Sequence, residues 1–94
     1  MINNKHMFYV YVLKSKKDGS IYIGYSNDLK RRFKEHNNGE NKSTKNKIPY
    51  EIVYYEAYKA LADARYREYN LKRHAGATTQ LKLRIKNSLE IEGP

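Results

Sequence analysis

Cysteine and tryptophan are missing from this 94-residue sequence, and proline occurs only twice. Without cysteine there is neither a disulfide framework nor a thiolate metal site, and the chain is indifferent to the redox state of its compartment. Long apolar stretches are missing too. No run approaches the ~18 residues a membrane-crossing helix needs, and Met1 to His6 hold no apolar segment of the kind that opens a secretory signal. The expectation is a cytoplasmic protein that makes no use of a membrane. Acid is scarce: ten Asp and Glu stand against 19 Lys and Arg, a net charge of +9. That excess is the footprint of a polyanion binder. It points to nucleic acid before a lipid surface, because no predicted helix combines a broad apolar face with a uniformly basic one. Ten tyrosines make up most of the aromatic content. Most suit strands and core, and a few are available to stack on exposed bases.

Ninety-four residues make one domain, 1–94, with room for a single modest core. Met7 to Lys14 is apolar on both parities, which predicts a strand buried on both faces at the centre of a sheet. Ser15 to Ser20 is a polar loop with an Asp18-Gly19 turn signal, and Ser20 to Tyr25 returns as the second strand of a hairpin. With Ser15 to Asp18 as the loop, Lys14 pairs with Gly19 and Tyr11 comes opposite Tyr22. Asp28 to Asn37 predicts a helix, entered through the capping residues Ser26, Asn27 and Asp28 and marked by the apolar pair Leu29 and Phe33. Asn38 to Lys47 is polar and aperiodic, an exposed loop. Pro49 to Ala57 alternates as a third strand, and Ala60 to Arg73 forms a second helix with Leu61, Ala64 and Leu71 as its buried stripe. Gly76 breaks it, Thr78 caps a third helix, and Leu81, Ile85 and Leu89 mark that helix's inner side. The expected class is α/β of the α+β type: a three-stranded antiparallel sheet flanked by about three helices, with a core from about residue 7 to 88.

Two charged residues sit awkwardly in this scheme. At 100° per residue, Arg32 and His36 fall beside the Leu29 and Phe33 seam, whereas Lys30, Arg31 and Lys34 face away. A guanidinium at the seam needs an anionic partner or a cleft, or must snorkel to water. Glu68 lies in azimuth between Leu61 and Ala64, so a carboxylate points where apolar groups belong. A structural ion pair accounts for it as readily as a metal does, on spacing alone.

The run Tyr22-Ile23-Gly24, with Arg32 ten residues on and His36 four further, preceded by Tyr9-Val10-Tyr11, resembles the GIY-YIG nuclease family. Tyr9 stands where the family has its name-giving glycine. The likeness runs from about Met7 to Ser88, and the chain is similar to the small stand-alone bacterial members and to the nuclease domain at the front of the excision-repair subunit UvrC. The resemblance implies a divalent-metal-dependent endonuclease that hydrolyses DNA phosphodiesters, structure-specific in repair or processing. It implies Arg32 as a clamp on the scissile phosphate, a task that suits a planar, permanently charged fork. The resemblance also implies that Tyr11 and Tyr22 flank the attacking water, either one being the base, and that Glu68 binds Mg²⁺ or Mn²⁺, hard ions that keep most of their waters. His36, on the same face as Arg32, can donate to phosphate or orient a tyrosine. Gly24 permits close approach beside Tyr22. No small-molecule cofactor is implied, and a protein partner is unreadable.

The asparagine that many members carry after the metal glutamate has no match in His74 to Gln80; Gln80 is a stand-in only. Lys30, Arg31, Lys34, Lys42, Lys45 and Lys47 are the candidate phosphate contacts, against the plain reading of a solvated surface. His6 and His74 join no constellation. The rival class is a non-catalytic nucleic-acid-binding module on the same fold; a protein-interaction module comes third.

Overall fold

The computed structural model describes residues 7–91, so His6 and the last three residues lie outside it. Strands β1 (Phe8–Ser15) and β2 (Ile21–Ser26) lead into helix α1 (Leu29–Asn37), and a loop with one 3₁₀ turn at Lys45–Lys47 leads to strand β3 (Tyr50–Tyr58). Helices α2 (Leu61–Arg73), α3 (Ala75–Arg84) and α4 (Lys86–Glu90) follow. The sheet is antiparallel in the order β2-β1-β3, so the strand with apolar residues on both parities is the central one.

The pairing register of the hairpin differs from the expected one. Lys14 pairs with Ile21, Leu13 with Tyr22, and Tyr11 with Gly24. The connection is longer than four residues because Ser15 organises it. Its amide donates to the Ser20 carbonyl at 2.8 Å, its carbonyl accepts from the Gly19 amide at 2.9 Å, and its Oγ accepts from the amides of Lys17 and Asp18. Gly19 supplies the positive φ of 76° that closes the turn. The slip from the expected pairing is two residues, an even number, so Tyr11 and Tyr22 stay on one face as diagonal neighbours.

Each face of the sheet carries its own apolar cluster. On one side Val10, Val12 and Ile23 meet Ala64 and Leu71 from α2, Leu81 from α3, and Ile85 between α3 and α4. On the other, Tyr11, Leu13 and Tyr50 gather Tyr22, Leu29, Phe33, Ile48 and Ile52. The second cluster is the smaller, and α1 covers it.

Three further expectations change. Leu61 is 37% exposed, because it opens α2 at the rim; Ala64 and Leu71 carry the burial instead. Gly76 lies inside α3, and the break falls at His74, whose extended backbone ends α2; Thr78 Oγ1 donates back to the Leu71 carbonyl rather than capping a new helix. The single third helix is two, separated at Ile85. That residue stays buried while α4 turns toward the sheet, where Lys14 Nζ donates to the Leu89 carbonyl.

Candidate active site

Tyr11, from the middle of the central strand, is buried, and its ring lies over Gly24 on the neighbouring strand. A Cβ at position 24 would stand 2.5 Å from the Tyr11 hydroxyl and 2.6 Å from its Cζ, so the glycine makes room for the tyrosine. The Tyr11 hydroxyl is 2.8 Å from Nε2 of His36, which is fully buried, and His36 Nδ1 is 2.8 Å from Oγ1 of Thr44, equally buried. Tyr22 completes the group, its ring centroid 5.0 Å from His36 and 6.4 Å from Tyr11. Burial pushes the Tyr11 phenol up to about 12, against the opposing pull of the Arg32 guanidinium beside it. Burial, and then the Arg32 charge, lower His36 from its ordinary value, so its imidazole is neutral at pH 7.

Arg32 finds both a partner and a cleft. Its Nη1 donates to Glu35 Oε1 at 2.9 Å, and its guanidinium lies against Tyr11. The side chain is 34% exposed against 57% for Arg31, which reaches across to the other oxygen of Glu35 at 3.4 Å. Phe8, Tyr25, Asn27, Arg31, Arg32, Glu35 and Leu61 line an open cleft of about 430 Å³ at this end of the sheet. Two guanidinium groups, both paired with Glu35, line this cleft, and Tyr11, Tyr22, His36 and Glu68 do not.

Glu68 enters from α2. Its side chain is 19% exposed and pairs with Lys72 at 3.1 Å, one helical turn on, and the Lys72 ammonium lies 5.4 Å from the centre of the Tyr22 ring. Its carboxylate is close enough to Tyr11 to act on that phenol's charge. Tyr11, Tyr22, Arg32, His36 and Glu68 thus converge from β1, β2, α1 and α2. Among the described residues no three His, Asp or Glu side chains gather as a metal cage. A lone hard oxygen donor with a displaceable lysine beside it still fits a divalent ion that keeps most of its waters. Gln80 does not join the group; it lines a separate cavity with Arg67, Leu81 and Arg84.

A model of the GIY-YIG catalytic domain matches residues 7–82. The chain belongs to the GIY-YIG family. It is 43% identical over 70 residues to a UPF0213 protein of Staphylococcus saprophyticus, covering 73% of this chain and 82% of that one. A UPF0213 protein of Clostridium perfringens is 40% identical over 87 residues, covering 92% and 89%. Among solved structures, the solution NMR structure of a UPF0213 protein from Bacillus halodurans matches with a TM-score of 0.53 at 33% identity over 85% of each chain.

Set beside the GIY-YIG motif, three side chains in contact with these residues escape a reading of the sequence. Glu35 and Lys72 leave a signal, being spaced i,i+3 from Arg32 and i,i+4 from Glu68. Thr44 leaves none. The loop expected to be exposed turns inward there, because Asn37 at the end of α1 and Tyr50 at the start of β3 exchange hydrogen bonds of 2.7 and 3.0 Å and close its base. Lys30, Arg31, Lys34, Lys42, Lys45 and Lys47 are all exposed. Among the described residues no helix is long and apolar enough to cross a membrane.

Proposed function

We propose that this GIY-YIG chain is a single-domain, divalent-metal-dependent endonuclease that hydrolyses DNA phosphodiesters in repair or processing, with Tyr11, Tyr22, Arg32 and His36 as catalytic residues. The observation that carries this reading is the contact between the Tyr11 hydroxyl and a neutral, buried His36. A phenol near 12 is a poor base by itself at neutral pH. Here the proton of the attacking water passes to Tyr11 Oη as the Tyr11 proton passes to His36 Nε2. This order of events favours Tyr11 over Tyr22 as the base and leaves Tyr22 to orient the water.

Arg32 grips the non-bridging oxygens, already aimed by Glu35. Glu68 would hold Mg²⁺ or Mn²⁺, which when bound supplies charge to the phosphoryl oxygens and the departing 3′-oxygen. Gly24 keeps the Tyr11 hydroxyl in reach. The exposed Lys30, Arg31, Lys34, Lys42, Lys45 and Lys47 contact the DNA backbone, whose charge the net +9 complements. The working location on this reading is the cytoplasm.

A second reading, a DNA-holding module without turnover, is favoured by the pairing of both key charges within the protein, Arg32 with Glu35 and Glu68 with Lys72. A panel of branched, single-stranded and duplex DNA, with and without Mg²⁺, separates the two. Mg²⁺-dependent cleavage that Arg32→Ala removes supports the nuclease. Salt-sensitive binding of every substrate with no cleavage supports the module.

A further inference from the structure

We propose that Thr44 is a positioning residue that fixes the tautomer of His36, so that Nε2 presents its lone pair to Tyr11. The inference rests on the proposed role of Tyr11 and His36 and adds what sets its direction. A threonine hydroxyl has one proton to give. Besides His36 Nδ1 at 2.8 Å, Thr44 Oγ1 has the Asn41 carbonyl at 3.4 Å, and a carbonyl only accepts. The hydroxyl proton goes there, so the Nδ1–H of His36 donates to Oγ1. Nε2 is left bare, 2.8 Å from the Tyr11 hydroxyl, and Tyr11 donates to it.

The other tautomer fails chiefly at Tyr11. Turning the Thr44 proton away from the Asn41 carbonyl costs little, since that carbonyl also accepts from the Thr44 and Lys45 amides at 3.1 and 3.0 Å, but Nε2–H would then meet a Tyr11 oxygen whose other neighbour, Arg32, has donors alone. Thr44 and His36 are both fully buried, so water cannot repair the mismatch.

The location of Thr44 adds a second meaning. It sits between the exposed Lys42 and Lys45, in a loop pinned to the hairpin turn. There Ser15 Oγ donates to the Lys47 carbonyl at 2.6 Å, Lys17 Nζ donates to the Asn46 carbonyl at 3.1 Å, and Lys47 pairs with Asp18 at 3.4 Å. The segment that offers lysines to a polyanion is therefore the segment that aligns the base.

The test compares Thr44→Val, which keeps the shape and loses the hydroxyl, with Thr44→Ser, which keeps the hydroxyl. Heteronuclear NMR of the imidazole nitrogens in metal-free, DNA-free protein reads the tautomer directly, with no need of turnover. Wild type and Thr44→Ser should show the Nδ1–H form, and Thr44→Val a mixture or the Nε2–H form. In single-turnover nicking of plasmid DNA, Thr44→Val should lose roughly ten- to a hundredfold in rate with DNA affinity unchanged, a share of what general base catalysis supplies, and Thr44→Ser should recover most of it. Wild type in the Nε2–H form overturns the proposal, as does a Thr44→Val protein whose tautomer is unaltered. A wild type that never nicks DNA rejects the nuclease reading instead, and the NMR result still decides the role of Thr44.

Discussion

Tyr11 keeps its place over the sheet only because position 24 has no side chain. Gly24→Ala puts a methyl group 2.5 Å from the phenol oxygen, closer than real Cβ atoms come, and the obstacle is a ring held in a packed strand. The ring or the strand must move, so the variant should unfold about 1–3 kcal/mol more easily in urea titrations and lose nearly all cleavage. Retained cleavage would mean that the phenol works from elsewhere. Neighbouring arginines offer a cleaner contrast. Arg31 and Arg32 carry the same charge on adjacent residues, but only Arg32 lies against Tyr11. Arg32→Ala should abolish cleavage while Arg31→Ala leaves most of it, and equal losses in single-turnover assays would reduce both to nonspecific electrostatics.

The second helix presents Glu68 and Lys72 as an i,i+4 pair at a partly open edge, the kind of pair that contributes only about 0.3–0.5 kcal/mol. Glu68→Gln should therefore leave the melting temperature within a degree or two of wild type or raise it, while Mg²⁺-dependent nicking vanishes. A variant that melts far lower yet still cuts would make Glu68 structural. The loop between α1 and β3 invites a different experiment. Neutralising Lys42, Lys45 and Lys47 together should flatten the log-log dependence of DNA affinity on salt by roughly 0.9 for each phosphate that a lysine no longer neutralises, and an unaltered slope would remove the loop from the interface.

These elements also mark where the sequence can be read. Strands and helices follow from apolar periodicity, and the central strand from its two apolar parities. The angular position of Arg32 and Glu68 tells that each needs an explanation. The hairpin register is not legible because Ser15 hydrogen-bonds its own turn, a local choice that no hydrophobic pattern encodes. Thr44 is not legible because a single inward-facing threonine in a polar loop has no period to reveal it. The split at Ile85 is hidden because Leu81, Ile85 and Leu89 fit one straight helix as well as two bent ones.

On the scale of the molecule, one sheet separates two unequal apolar clusters, and His36 stands in the wall of the smaller. Its value is lowered in the folded protein, so the unfolded chain takes up the proton first as acid is added. The stability that His36 contributes is complete above about pH 6.5 and is lost as pH falls through its depressed value. Thermal unfolding between pH 7.5 and 5 should show that loss in wild type and a shallower slope in His36→Gln. Measured relative to its intrinsic rate, hydrogen exchange at pH 5 should quicken in α1 before the amides of β1 and α2. Uniform quickening would show that the two sides open together. The division has a consequence for descent. If the proposed chemistry holds, selection for turnover acts through Arg32 and Glu68, which are partly exposed, and through Tyr11 and His36, which selection for a folded chain also keeps because they are buried on the α1 side. A lineage that gave up this chemistry would therefore lose it at least cost to the fold through the partly exposed Arg32, whereas loss of Tyr11 or His36 would also open the smaller cluster, so an intact Tyr11 and His36 testify to folding before they testify to cutting.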